Sequence, residues 1–79
     1  MKEYKIDYEL FNVEEIIKII NFFKLFESKQ YKKIKKDLLI SYYQEYRSIL
    51  NNIALEKQYD KMLFDKSGIS IFQTMKNLH

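Results

Sequence analysis

The sequence contains no cysteine and no proline, and it has one glycine and one histidine. Without cysteine, the chain forms no disulfide and offers no thiolate to a metal or a substrate. The histidine, His79, is the last residue, where fraying makes it a poor general base or ligand. No glycine-rich stretch is present to surround a phosphate group. We therefore expect a protein that is not an enzyme, with no catalytic, cofactor-binding or metal-binding residues and no small-molecule substrate.

The sequence also has no long uninterrupted apolar run. Its longest apolar region, residues 13–26, is interrupted by Glu14, Glu15, Lys18 and Lys24. That region is also shorter than the roughly 20 residues needed to cross a bilayer. The first ten residues alternate acidic and apolar side chains, which is unlike a secretory signal. We therefore expect a cytoplasmic protein without a membrane partner.

The composition is that of a globular chain, with 47% hydrophobic and 32% charged residues among 79. This length fits a single domain over residues 1–79, without a linker or a second domain. The net charge of +3 is a mild bias. Because lysine, isoleucine, asparagine, tyrosine and phenylalanine dominate, part of the lysine excess reflects the codon composition of an AT-rich genome. Basicity alone is therefore a weak argument for an acidic partner.

Apolar residues recur at helical spacing, which predicts an all-α fold. A compact array of four helices is expected after an extended N-terminal segment, at about residues 13–28, 36–50, 53–66 and 70–77. Asn12, Asn52 and Ser70 are suited to accept the free amide hydrogens at the starts of helices 1, 3 and 4. Gly68 is suited to the left-handed conformation that ends helix 3.

Helices 3 and 4 carry two kinds of apolar residue. Tyr59 and Leu63 belong to the predicted core face of helix 3, whereas Ile53 and Phe64 fall on its far side. That far side also carries charged residues. On helix 4, the apolar residues are expected to face inward: Ile71, Phe72 and Met75.

Three apolar residues fall on otherwise polar helix faces, namely Leu25 and Phe64, with Ile40 a weaker third. Single exposed apolar side chains are common, but contiguous ones mark an interface. They form the candidate interaction surface. As an alternative, Phe64 folds under the last helix against Ile71 or Phe72.

Glu27 lies near the centre of the apolar face of helix 1, where an unpaired carboxylate is costly. We expect it to pair with Arg47 or Lys57, or to accept a hydrogen bond from a tyrosine hydroxyl. The alternative is that Glu27 anchors a partner.

Residues 28–37 read SKQYKKIKKD and form a candidate basic patch, comprising Lys29, Lys32, Lys33, Lys35 and Lys36. Such a patch binds nucleic acid when aromatic side chains lie among the cations, and Tyr31 is the aromatic residue here. The competing interpretation is a solvated connector between two helices. The chain has a single arginine, and Glu27 and Asp37 flank the lysines, so the connector is favoured. The tyrosines of helix 2, Tyr42, Tyr43 and Tyr46, are likewise interpreted as core rather than as a platform for bases.

Four segments resemble a known family: EEIIKIINFF (14–23), YQEYRSI (43–49), EKQYDK (56–61) and SGISIF (67–72). Their order and spacing are similar to those of the YktA-like family, small uncharacterised proteins of low-GC Gram-positive bacteria. The resemblance implies an all-α fold for a short standalone protein and implies no activity. The chain departs from the family pattern at several positions, and its lysine stretch lacks the glycine often found there.

Two functions follow from these observations. The first is a small protein-interaction or accessory module, with an unknown protein partner or with a second copy of itself as a homodimer. The alternative is a nucleic-acid-binding module that uses the basic stretch Lys29–Lys36, whose affinity would fall steeply with salt.

Overall fold

The helices lie where the apolar periodicity and the caps predict them. The computed structural model describes Tyr4 and residues 6–78. Its α-helices are α1 (Val13–Glu27), α2 (Lys36–Leu50), α3 (Ile53–Ser67) and α4 (Ile71–Asn77). A short 3₁₀ helix, Gln30–Lys33, joins α1 to α2, and no strand occurs in this described part of the chain. The all-α fold with four helices is confirmed, and each bound agrees to within one residue.

The predicted caps form at both asparagines. The Asn12 side chain accepts a hydrogen bond from the Glu15 amide at 2.8 Å, and the Glu15 carboxylate accepts one from the Asn12 amide at 2.9 Å. At the start of α3, the Asn52 side chain accepts from the Leu55 amide at 3.1 Å. Each cap of this kind stabilises a helix by about 1 kcal/mol. Gly68, with φ of 75°, ends α3 in the left-handed conformation, as predicted.

The start of α4 is held by a residue that the sequence did not reveal. The predicted cap, Ser70, accepts a hydrogen bond from the Gln73 amide at 3.3 Å. In addition, the Asp60 carboxylate on α3 accepts from the Ser70 hydroxyl at 2.8 Å and from the Ile71 amide at 2.6 Å. The Phe72 amide donates a longer bond to the same carboxylate at 3.4 Å. Asp60 therefore attaches α4 to α3.

The centre of the molecule is a cluster of aromatic side chains, here called the aromatic core: Phe22, Phe23, Phe26, Tyr46 and Tyr59. The Phe23 ring lies 5.8 Å from the Tyr46 ring and 6.4 Å from the Tyr59 ring, centroid to centroid, both in edge-on geometry. Such pairs add to the free energy gained by burying the rings. The radius of gyration is 11.9 Å, close to the roughly 12 Å expected for a folded chain of this length.

Of the residues that the structure describes before α1, Tyr4 and residues 6–12, none is helical. Ile6 and Phe11 are buried in the core, and residues 8–10 form a turn. The Asp7 amide donates a hydrogen bond to the buried Tyr59 hydroxyl at 3.2 Å. These contacts anchor the segment in the core, because burying Ile6 and Phe11 removes their apolar surface from water.

Glu27 is paired, but the predicted partners are wrong. Its carboxylate lies 3.2 Å from the Lys66 ammonium group, whereas Arg47 bonds to Glu56 at 2.6 Å. The Lys66 ammonium also lies 4.4 Å from the centre of the Tyr4 ring. The end of α1 thus lies beside the end of α3, which brings Lys66 closer than Lys57.

No helix within Tyr4 and residues 6–78 has both the length and the apolar character needed to cross a membrane.

Candidate functional site

The outer face of α3 carries large apolar side chains that the fold does not cover. Ile53 is 67% exposed and Phe64 is 53% exposed, and Lys57 and Lys61 lie between them at helical spacing. The ends of this row are eleven positions apart in the sequence, which corresponds to about 16 Å along the helix axis. The prediction that Ile53 and Phe64 lie away from the core is confirmed.

An open groove runs beside this face, between α2, α3 and the start of α4. Its volume is about 540 Å³. We call it the α3 groove and define it by its apolar lining: Ile53, Phe64, Phe72, Tyr43, Tyr46 and Ile71. Phe72 is 57% exposed, so apolar side chains from α3 and α4 both reach solvent here. Apolar side chains from three helices therefore line this open groove.

Tyr46 connects the α3 groove with the aromatic core. Its ring lies 4.8 Å from the Phe22 ring, and its buried hydroxyl has no hydrogen-bond partner within Tyr4 and residues 6–78. Burial raises the pKa of Tyr46 well above its usual value, and the carboxylates of Asp60 and Glu56 raise it further. Tyr46 is also part of the groove lining, and its raised pKa keeps the hydroxyl protonated near neutral pH.

The carboxylates that line the groove are already engaged. Glu56 accepts the bond from Arg47, which also lies over the Tyr43 ring at 5.6 Å, and Asp60 holds the start of α4. By contrast, Lys57 and Lys61 have no carboxylate within 4.0 Å among the residues that the structure describes. The groove lining therefore holds three cations (Arg47, Lys57 and Lys61) and two carboxylates, a formal net charge of +1.

The structure separates the three residues of the candidate interaction surface. Phe64 lies in the α3 groove, beside Phe72, and is half exposed rather than folded under α4. Leu25 is partly buried against the core and lines a smaller groove of about 360 Å³ between α1 and α2. Ile40 is also partly buried against the core. Leu25 and Ile40 are thus partly buried against the core, which helical spacing alone does not show.

One predicted orientation on α4 is wrong. Ile71 and Met75 are buried as expected, but Phe72 points to solvent. Buried positions four residues apart place these two side chains on one face of a two-turn helix. Phe72 lies about 100° around the helix from Ile71. The spacing of Ile71 and Met75 was the signal that could have identified Phe72 as exposed.

The lysines of the basic patch are all exposed, four on the connector between α1 and α2 and one at the first position of α2: Lys29, Lys32, Lys33, Lys35 and Lys36. Tyr31 is partly buried and stacks on Phe26, with ring centroids 4.9 Å apart and planes at 21°. It is therefore occupied by the core rather than free to stack on a base. Of the helix 2 tyrosines, Tyr46 is buried, Tyr43 is partly buried and Tyr42 is exposed. Nothing in this arrangement favours nucleic-acid binding.

The described residues also contain no group of three or more histidine, cysteine, aspartate or glutamate side chains placed to hold a metal ion.

The fold and the groove together define a class: small all-α proteins with a solvent-open apolar groove along one helix. Residues 2–79 match the sequence profile of the Uncharacterised protein family (UPF0223), and the chain belongs to that family. This result confirms the resemblance to a small uncharacterised family of low-GC Gram-positive bacteria.

Relatives in three genera are similar along most of the chain. A UPF0223 protein of Bacillus cytotoxicus is 34% identical over 74 residues, covering 94% of this chain and 82% of the relative. One from Streptococcus agalactiae is 34% identical over 65 residues, covering 82% and 70%. One from Oceanobacillus iheyensis is 28% identical over 74 residues, covering 94% and 83%. No solved structure matches the chain.

Proposed function

We propose that this protein is a non-enzymatic interaction module that binds a segment of another protein in the α3 groove. The observation that supports the proposal is the exposure of Ile53, Phe64 and Phe72 around one groove, each more than half accessible to solvent. Large apolar side chains exposed together lower the solubility of a protein unless they are covered. Contiguous patches of this kind mark interaction sites on small proteins.

The shape of the groove favours a protein segment over a small molecule. Small-molecule sites are concave and bury most of the ligand. Here the exposed apolar side chains are spread along about 16 Å of α3 and continue onto α4. A chain segment lying along α3 can cover all of them at once. The proposal keeps the cytoplasmic location expected from the sequence, and self-association is one outcome of its test.

Photo-crosslinking in living cells tests the proposal. A benzoyl-phenylalanine residue is placed at Phe64 in the groove and, in a second variant, at Gln44, an exposed polar position on α2. We expect position 64 to give a crosslinked product with a different protein, identified by mass spectrometry, and position 44 to give at least fivefold less of it.

Two other outcomes contradict the proposal. If the crosslinked product at position 64 contains only copies of this chain, the groove is a homodimer interface and not a site for a different protein. Equal products at both positions, or none at position 64, would show that the groove is not a specific binding surface.

A further inference from the structure

We infer that the segment bound in the α3 groove is an acidic amphipathic helix, with apolar side chains on one face and carboxylates beside them. This inference rests on the proposed function and adds the chemical class of the partner. It follows from two independent features of the groove, its dimensions and its unpaired charges.

The dimensions fit a helix of about three turns. Ile53 and Phe64 stand at the two ends of the exposed row on α3, about 16 Å apart, and three turns of helix span the same length. Apolar side chains three or four residues apart on the partner would follow that row, and the exposed Phe72 ring borders the groove from α4. Helices bind apolar grooves in this way, through anchors at every third or fourth residue.

The charged side chains of the groove favour a partner segment of negative charge. Lys57 and Lys61 lie four residues apart on α3, where like charges repel and destabilise a helix. They lack a carboxylate within 4.0 Å in the part of the chain that the structure describes. Carboxylates on the partner would supply the missing counter-charges and relieve that repulsion.

A basic partner would meet two carboxylates in the groove lining, and both already accept bonds from other groups of the protein. Glu56 is bonded to Arg47 at 2.6 Å, and Asp60 accepts hydrogen bonds from the start of α4. Cations on the partner would have to displace one of these contacts and would approach Lys57 and Lys61. The groove therefore favours an acidic segment over a basic one in two ways: it attracts carboxylates and it repels cations.

A displayed library of random 16-residue peptides, selected against the whole protein, tests the inference. Counter-selection against Phe64→Ser removes peptides that bind elsewhere, and this exposed substitution is checked for folding by circular dichroism. We expect the recovered peptides to be acidic, with carboxylates three or four residues apart beside apolar residues.

Charge reversal identifies the groups that recognise the carboxylates. The double variant Lys57→Glu/Lys61→Glu should bind the selected peptides at least tenfold more weakly. The matched control, Lys32→Glu/Lys35→Glu, makes the same change of net charge on the exposed connector and should leave the affinity within twofold.

The remaining outcomes overturn the inference in distinguishable ways. Neutral or basic peptides that require Phe64 would refute the acidic partner and leave the groove as a binding site. Equal losses in both double variants would mean that net charge alone attracts the peptides, which also refutes it. The absence of any peptide that depends on Phe64 would count against both the inference and the proposed function.

Discussion

The aromatic core and the α3 groove are built partly from the same helix. Leu63 and Phe64 are neighbours in the chain, yet Leu63 is 0% exposed and Phe64 is 53% exposed. A step of one residue turns the side chain by about 100° around the helix. The Leu63 side chain therefore points to the interior, and the Phe64 side chain points to the groove.

The difference shows that apolar side chains of this protein occupy two environments, the buried core and the solvent-exposed groove. On α1, the buried apolar residues lie on one face and belong to the hydrophobic core: Ile19, Phe22, Phe23 and Phe26. On α3, Tyr59 and Leu63 complete that core, while the apolar residues on the other face have no covering element. Folding accounts for the first set, and we attribute the second set to binding.

The largest expected effect is in the aromatic core. Phe23→Ala should lower the free energy of unfolding by about 3–5 kcal/mol, because the buried ring is lost and a cavity is left. The total for a chain of this length is only about 4–12 kcal/mol. Urea unfolding followed by circular dichroism measures the change. A loss below about 1 kcal/mol would show that the aromatic core is not the main source of stability.

A smaller effect is expected at Asp60, the residue of α3 that holds the start of α4. Asp60→Ala should lower the free energy of unfolding by about 1–3 kcal/mol, because it leaves the Ile71 amide and the Ser70 hydroxyl without their acceptor. Asp65→Ala, at an exposed aspartate on the same helix, is the control and should change little. Equal effects of the two substitutions in urea unfolding would contradict this role of Asp60.

Tyr46 should make the stability sensitive to alkaline pH. Its pKa is raised in the folded protein, so the unfolded chain releases the proton first, near pH 10. The stability that is present below pH 10 is therefore lost as the pH rises further, by up to about 1.4 kcal/mol per pH unit.

Tyr46→Phe should reduce this alkaline loss and cost little near neutral pH, since the hydroxyl has no hydrogen-bond partner among the described residues. Thermal unfolding between pH 7 and pH 11 measures both effects. Tyr42→Phe, at an exposed tyrosine, is the control. An unchanged pH profile for Tyr46→Phe would disprove the assignment.

The smallest effect is expected outside both regions, on the connector. Lys29 has φ of 60°, a left-handed conformation that costs a residue with a side chain about 1 kcal/mol relative to glycine. Lys29→Gly should therefore stabilise the protein by roughly 0.5 kcal/mol. Lys32→Gly, within the 3₁₀ helix, should instead destabilise the protein, because there glycine only increases the conformational freedom of the unfolded chain. Two changes of the same sign in urea unfolding would refute the strain at Lys29.

The sequence predicted the parts of the fold that depend on local patterns. The Asn12 and Asn52 caps and the Gly68 helix end use residues within a few positions of one another. The contacts of Glu27 with Lys66 and of Asp60 with Ile71 join residues far apart in the chain or on different helices, so no local pattern identifies them.

Only the part of the candidate site that depends on the helical period was predicted from the sequence. The helical period placed Ile53 and Phe64 outside the core correctly. Whether an apolar residue on the outer face of a helix is covered depends on which other elements pack over it. The helical period gives no information about those elements. Leu25 and Ile40 therefore turned out to be partly buried, and Phe72, which was expected inside, completes the groove.

The central claim, that two faces of α3 have different roles, is tested most directly by urea unfolding of Leu63→Ala and Phe64→Ala side by side. We expect Leu63→Ala to lower the free energy of unfolding by about 3 kcal/mol, and Phe64→Ala to lower it by about 1 kcal/mol. Equal losses would place Phe64 in the core and contradict its assignment to a binding surface.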